Sequence, residues 1–284
     1  MSHLAEGLLA GKTALITGGG TGLGLAMGRE FARLGADLVI CGRREEVLRA
    51  AASELEAQTG QRVRVIVCDI RSGDAVEAMV EAVFAAQPVD ILVNNAAASF
   101  IAQTERLSHR AADAILATTL HGALYCTLAV GRRWIDGGTK GVVLSILSTS
   151  TVTGRAFTTS SAMAKSGVLA MTRSLAVEWG PHNIRLVAIA PGSFPTPGAS
   201  AQLNPAGRQT GQARSRTPLG RNGEHSELAE LAAFMVSDAA AYMTGEMVVL
   251  DGGAHLRSSG AEDLLDWSQD QWIAHRAGLN RGGL

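Results

Sequence analysis

Between Ser148 and Lys165 the chain places two hydroxyls and an amine at a spacing that suits chemistry. Ser161 stands thirteen residues after Ser148, and Lys165 follows four residues after Ser161. On a helix, Ser161 and Lys165 share one face, a turn apart. A Ser-Lys pair can serve a hydrolase, or it can hold a hydroxyl-bearing ligand and stabilise negative charge. The same spacing is common on any helix surface, so context must decide. A stronger acid is missing: the only tyrosines are Tyr125 and Tyr242, and neither fits this stretch. A Ser hydroxyl is a far weaker acid than a phenol of pKa about 10, so it serves better as a hydrogen-bond donor. Histidine as a residue type can exchange protons at physiological pH, so His121 is the candidate proton donor, although packing is the commoner role of a helix His.

The elements that must position these groups alternate between strand and helix. Lys12–Thr17 is a short apolar run, Gly18–Gly24 is glycine-rich, and Leu25–Leu34 has helical spacing that stops at Gly35. A strand, a glycine turn and a helix make the first half of a dinucleotide fold, with free N–H groups at the helix start for a pyrophosphate. A Ser-Lys hydrolase would have no use for that turn. Further strands are read at 37–41, 63–68, 91–93, 142–147, 184–189 and 246–250. Helices are read at about 43–58, 74–86, 108–136 with a bend near Gly122, 158–179, and 226–236 with Ser226 as N-cap. This order implies an α/β chain: a single Rossmann-type, doubly wound, parallel seven-stranded sheet with helices on both faces.

The end of the second strand bears on cofactor choice. NAD enzymes usually place an acid there for the ribose 2′-hydroxyl. This chain has Cys41, Gly42, Arg43 and Arg44. Guanidinium groups there can pair with a 2′-phosphate, so NADP(H) is favoured over NAD(H). The alternative is that both arginines simply open a solvated helix.

Bulk properties narrow the class. The 284 residues are 46% apolar and 18% charged, with a net charge of -1. That is globular, and no broad field favours nucleic acid or an anionic membrane. No apolar run reads as a membrane span, and the N-terminus lacks the regions of a signal peptide, so a cytoplasmic protein is expected. Cys41, Cys68 and Cys126 are odd in number and widely spaced, which argues for small core residues and against a metal site or disulfides. One domain is expected over 1–253, with a lid loop at about 193–225. The lid carries Arg208, Arg214, Arg216 and Arg221. A C-terminal extension over 254–284 is expected to pack on the domain or on a neighbouring subunit, and its acids, among them Glu262 and Asp263, could pair with the lid arginines.

The ordered motifs over about residues 8–253 resemble the short-chain dehydrogenase/reductase family. They are the TGxxxGxG turn, Asn94-Asn95-Ala96-Ala97, the Ser148 to Lys165 segment and the PGxxxT run Pro191–Thr196. Within it the chain looks most like the 2,4-dienoyl-CoA reductases. It shares with them the run Thr17–Gly24, Ser in place of Tyr before the Lys, Thr104–Ser108, Leu175–Gly180, Leu203–Gly207 and Gln271-Trp272. The resemblance implies a cofactor cradle of Gly18, Thr21, Gly22, Leu23 and Gly24, with Asp69 and Ile70 near the adenine. It places Asn95, Ala96 and Ala97 under the cofactor, Lys165 on the nicotinamide ribose, and Pro191, Gly192, Ser193 and Thr196 around the amide and diphosphate. Ser148 would orient the thioester, and Ser161 would donate to its oxygen. The expected substrate is an acyl-CoA thioester, and the expected assembly a homotetramer. Two departures stand out: the mitochondrial-type members have a Tyr where this chain has Ser150, and an Asn where it has His121.

Overall fold

In a computed structural model, residues 3–196, 198, 217–257, 264 and 266–281 are described, with side chains to 275. Arg208, Arg214, Arg216, Glu262 and Asp263 lie outside the described residues. Seven parallel strands form one sheet in the order β3-β2-β1-β4-β5-β6-β7. They are β1 (Thr13–Thr17), β2 (Asp37–Gly42), β3 (Val63–Val67), β4 (Ile91–Asn94), β5 (Gly141–Ile146), β6 (Ile184–Pro191) and β7 (Met247–Leu250). The order reverses between β1 and β4. In an open parallel sheet that is where a crevice opens beyond the strand C-termini.

The strands are apolar without alternation because both faces are covered. On one face α1 (Gly22–Arg33) and α2 (Glu45–Thr59) pack Met27, Phe31 and Leu55 against Ile16, Leu38 and Ile40. On the other, α3 (Gly73–Ala86) meets α5 (Gly122–Asp136), the second half of the helix run that begins with α4 (His109–Leu116), around Val80, Cys126 and Trp134. Buried Trp134 keeps its indole N–H satisfied on the carbonyl of Val89, at 2.6 Å. All three cysteines are free and buried.

The 108–136 helix forms, with Ser108 as N-cap accepting from the Ala111 N–H at 3.2 Å. Its regular repeat is interrupted just before Gly122, where Ala117–His121 forms a π turn that joins α4 to α5. The run His109–Asp136 is also long and apolar enough to cross a membrane by length and composition, with mean hydropathy 1.5, which the sequence reading overlooked. Half of that apolar window is buried against the sheet and its neighbouring helices.

The remaining helices are α6 (Ser150–Thr153), α7 (Thr159–Trp179), α8 (His225–Val236) and α9 (Gln269–Arg281). Ser226 is not the N-cap of α8. Glu224 is, because it forms a reciprocal box with Glu227 that satisfies two N–H groups where Ser226 would satisfy one. Arg221 pairs with Glu227 as well, at 2.6 and 2.8 Å, so its acidic partner among the described residues is on α8.

Candidate active site

The C-terminal ends of the strands open into a cleft of about 1200 Å³. Its near wall is the turn from β1 to α1. Gly18 has φ 66, and a Cβ there would sit 3.2 Å from the Cα of Ala96, so only glycine fits without strain. The turn is tied to the end of β4. The Asn95 amide donates to the carbonyls of Thr17 (2.9 Å) and Gly18 (3.3 Å). Thr17 Oγ1 accepts from the N–H groups of Asn95 (3.0 Å) and Ala96 (3.1 Å) and donates to the Val93 carbonyl (3.1 Å). Asn95 therefore locks the two strands while lining the cleft. Asn94 points into the core and donates to Thr127 Oγ1 at 2.8 Å.

Gly24 corrects an expectation. It does not line the cleft. It lies buried beneath the turn, where a Cβ would strike the Gly18 carbonyl and the Asn95 amide. It permits close packing of helix on turn. Gly18, Thr21, Gly22 and Leu23 do line the cleft, as do Asn95, Ala96 and Ala97.

The far end holds Arg43, Arg44, Asp69 and Ile70. Arg44 is the N-cap residue of α2, so the basic pair sits at the junction of β2 and that helix. Arg71 grips Asp69 through Nε at 2.9 and 3.0 Å, which holds the carboxyl below its ordinary range. Cys41 and Cys68 form part of the floor, and burial raises both thiols.

The reacting end brings together Ser148, Ser161 and Lys165. Ser148 follows β5, and its Oγ accepts from the Ser150 N–H at 3.3 Å. Ser161 and Lys165 lie in the first turns of α7. Lys165 is buried and donates to the carbonyl of Ile146, and burial lowers its pKa to about 8. Pro191, Gly192, Ser193 and Thr196 close the roof. Gly192 N–H donates to the Leu250 carbonyl at 2.9 Å, and Ser193 Oγ to Asn222 Oδ1 at 2.8 Å.

His121 is the second correction. It is exposed and does not line the cleft; its ring lies 6.1 Å from that of Tyr125. The π turn adds a residue to the helical repeat, so Thr118 is the residue of this turn that reaches the cleft. Neither Tyr125 nor Tyr242 lines it. Sequence reading also missed Arg71 and Arg155. The available signals were a cation directly after Asp69-Ile70, and a lone cation inside the Ser148–Lys165 stretch.

A glycine turn that tolerates no Cβ, a helix start behind it, and a basic strand end suit a dinucleotide's pyrophosphate and 2′-phosphate. Such a site on such a sheet defines the dinucleotide-binding α/β class. A family model described as enoyl-(acyl carrier protein) reductase matches residues 18–255. A Bacillus subtilis protein, a probable (2E)-enoyl-CoA-producing 2,4-dienoyl-CoA reductase, is 39% identical over 86% of this chain and 97% of its own. A Caenorhabditis elegans protein, a probable (3E)-enoyl-CoA-producing 2,4-dienoyl-CoA reductase, is also 39% identical, over 95% of this chain and 89% of its own. A Beutenbergia cavernae structure described as an NAD(P)-dependent gluconate 5-dehydrogenase, with NADP at low occupancy, superposes with TM-score 0.82. It is 30% identical over 88% of this chain and 99% of that one. The chain belongs to the short-chain dehydrogenase/reductase family of oxidoreductases.

Proposed function

We propose that the protein is an NADPH-dependent reductase of a conjugated acyl-CoA thioester of the 2,4-dienoyl type. The observation that carries this reading is the reacting end itself: Ser148, Ser161 and Lys165 line one cleft that contains no tyrosine among the described residues. Reducing an ordinary carbonyl calls for an acid to protonate the oxygen. A conjugated thioester makes a different demand. NADPH, when bound, supplies hydride to the remote end of the conjugated system, and negative charge gathers on the thioester oxygen. That oxygen needs hydrogen-bond donors, and a carbon receives the proton later.

Ser161 supplies one donor to the oxygen, and Ser148 orients the thioester beside it. Buried Lys165 places a positive charge at the same end of the cleft and holds the hydroxyls of the nicotinamide ribose. The proton comes from water, since no carboxyl, phenol or imidazole lines this end among the described residues. Arg43 and Arg44 receive the 2′-phosphate. The acyl-CoA preference is supported by the names of the two relatives above, which differ on the position of the product double bond. The proposed assembly is a homotetramer. The partly exposed apolar edge strand β7 is consistent with association, and light scattering checks it.

The deciding test is oxidation of NADPH by purified protein with a 2,4-dienoyl-CoA, alongside NADH and a 3-oxoacyl-CoA. Consumption of NADPH with the dienoyl thioester alone is the expected result. Tight NADPH binding without turnover of any thioester would overturn the reading in favour of a silent NADP(H)-binding protein.

A further inference from the structure

The cofactor and the reacting unit do not account for every charged group in the cleft. Among the described lining residues the cations are Arg43, Arg44, Arg71, Arg155 and Lys165, and the one acid is Asp69. Arg43, Arg44 and the Asp69–Arg71 pair gather at the β2 and β3 ends. Lys165 belongs to the reacting centre. Arg155 is different: it lies on the loop between α6 and α7, on the stretch that carries Ser148 and Ser161. A guanidinium there is far along the chain from the glycine turn that would take a cofactor's phosphates.

The loop that presents Arg155 is fixed. Thr158 Oγ1 donates to the Arg155 carbonyl at 3.3 Å, and the Ala102 N–H donates to the Phe157 carbonyl at 3.0 Å. The hydroxyls of Thr104 and Thr159 lie 3.0 Å apart. Phe157 holds φ 64, a left-handed conformation that a bulky side chain adopts only when its surroundings impose it. Such strain clusters at ligand clamps. Apolar surface is exposed on this segment, by Val152 on α6 and Phe157 on the loop, at 50% and 55% exposure. A cation that lines the cleft from a tied stretch of backbone, with exposed apolar side chains on the same segment, suits a ligand that is apolar along one part and anionic at another.

We propose that Arg155 sets substrate specificity by receiving an oxyanion, phosphate or carboxylate, that the substrate carries outside its reacting double bonds. This deepens the reading above and rests on it. The two sources of oxyanion are the phosphates of a CoA carrier and a carboxylate at the far end of the acyl chain.

The test compares wild type, Arg155→Gln and Arg155→Lys on three thioesters of one dienoyl chain. These are the CoA thioester, the N-acetylcysteamine thioester, which has no phosphate, and an N-acetylcysteamine thioester ending in a carboxylate. Arg155→Gln is expected to raise KM about tenfold for at least one anionic substrate. Its kcat, its KM for the neutral thioester and its NADPH affinity should stay near wild type, and Arg155→Lys should recover part of the loss. A KM effect on the CoA thioester alone identifies phosphate, and one on the carboxylate alone identifies the acyl end. Unchanged KM for both anionic substrates, or an equal loss on all three, overturns the proposal. A wild type that turns over none of them overturns the reductase reading instead. Titration of free CoA and of a free dicarboxylate into the NADPH-loaded protein then decides on Arg155 separately: weaker binding of either to Arg155→Gln supports it, and equal or absent binding of both overturns it.

Discussion

The ammonium of Lys165 donates to the backbone carbonyl of Ile146, two residues before the Ser148 that shares its cleft. The contact ties the first turns of α7 to the end of β5 and so sets the distance between the two halves of the reacting end. It also buries a charge, and burial lowers the Lys165 pKa from 10.5 to about 8.

Activity that depends on the Lys165 charge should therefore fall as pH rises through about 8. The stability effect has the opposite sense. Between about 8 and 10.5 the unfolded chain binds the proton that the folded chain has lost, so this residue's contribution to stability rises with pH across that window. A pH–rate profile and a pH series of melting curves check the two. Lys165→Met should abolish turnover and remove both trends.

Ser161→Ala should lower kcat by roughly 10²- to 10³-fold with little change in KM, the usual loss when one donor to a developing oxyanion is removed. Steady-state kinetics with a 2,4-dienoyl-CoA measures it. A change confined to KM would show that Ser161 only binds.

Removing the guanidinium groups at the β2 end, in Arg43→Ala/Arg44→Ala, should weaken NADPH roughly 10- to 100-fold and leave NADH nearly unaffected. Titration of the two cofactors gives the comparison directly. Equal weakening of both would mean that the arginines serve the helix start of α2 and not a 2′-phosphate.

His121 is exposed outside the cleft, so His121→Ala should retain activity within about twofold. Thr118→Val, on the residue of the same π turn that lines the cleft, should cost more. A large loss in His121→Ala that His121→Asn restores would return proton or water handling to that position.

The Arg221–Glu227–Glu224 network should be visible in acid. Arg221, with the Glu224 N–H, holds the Glu227 carboxyl at about 2. A depressed carboxyl contributes stability that is complete above its unfolded pKa and is lost as pH falls through its folded one. Arg221→Ala should thus lower Tm at neutral pH, and the difference should shrink as pH drops towards 2. Calorimetry from neutral pH down to about 2 reads it.

Much of this protein was determined by local sequence. The strand runs and the glycine turn give the sheet and its crevice, because apolar runs, turns and helix stops are set within a few residues of themselves. The spacing of Ser148, Ser161 and Lys165 and the basic end of β2 were legible for the same reason. Tertiary structure decided what depends on facing. The turn at 117–121 departs from the ordinary helical repeat, which left His121 outside and put Thr118 in the cleft. Gly24 follows the glycine pattern, yet the packing of α1 on Gly18 and Asn95 made it a buried contact. Arg71 and Arg155 became visible only when the fold carried them to one cleft, since no local period marks which side chains distant in sequence will line the same crevice.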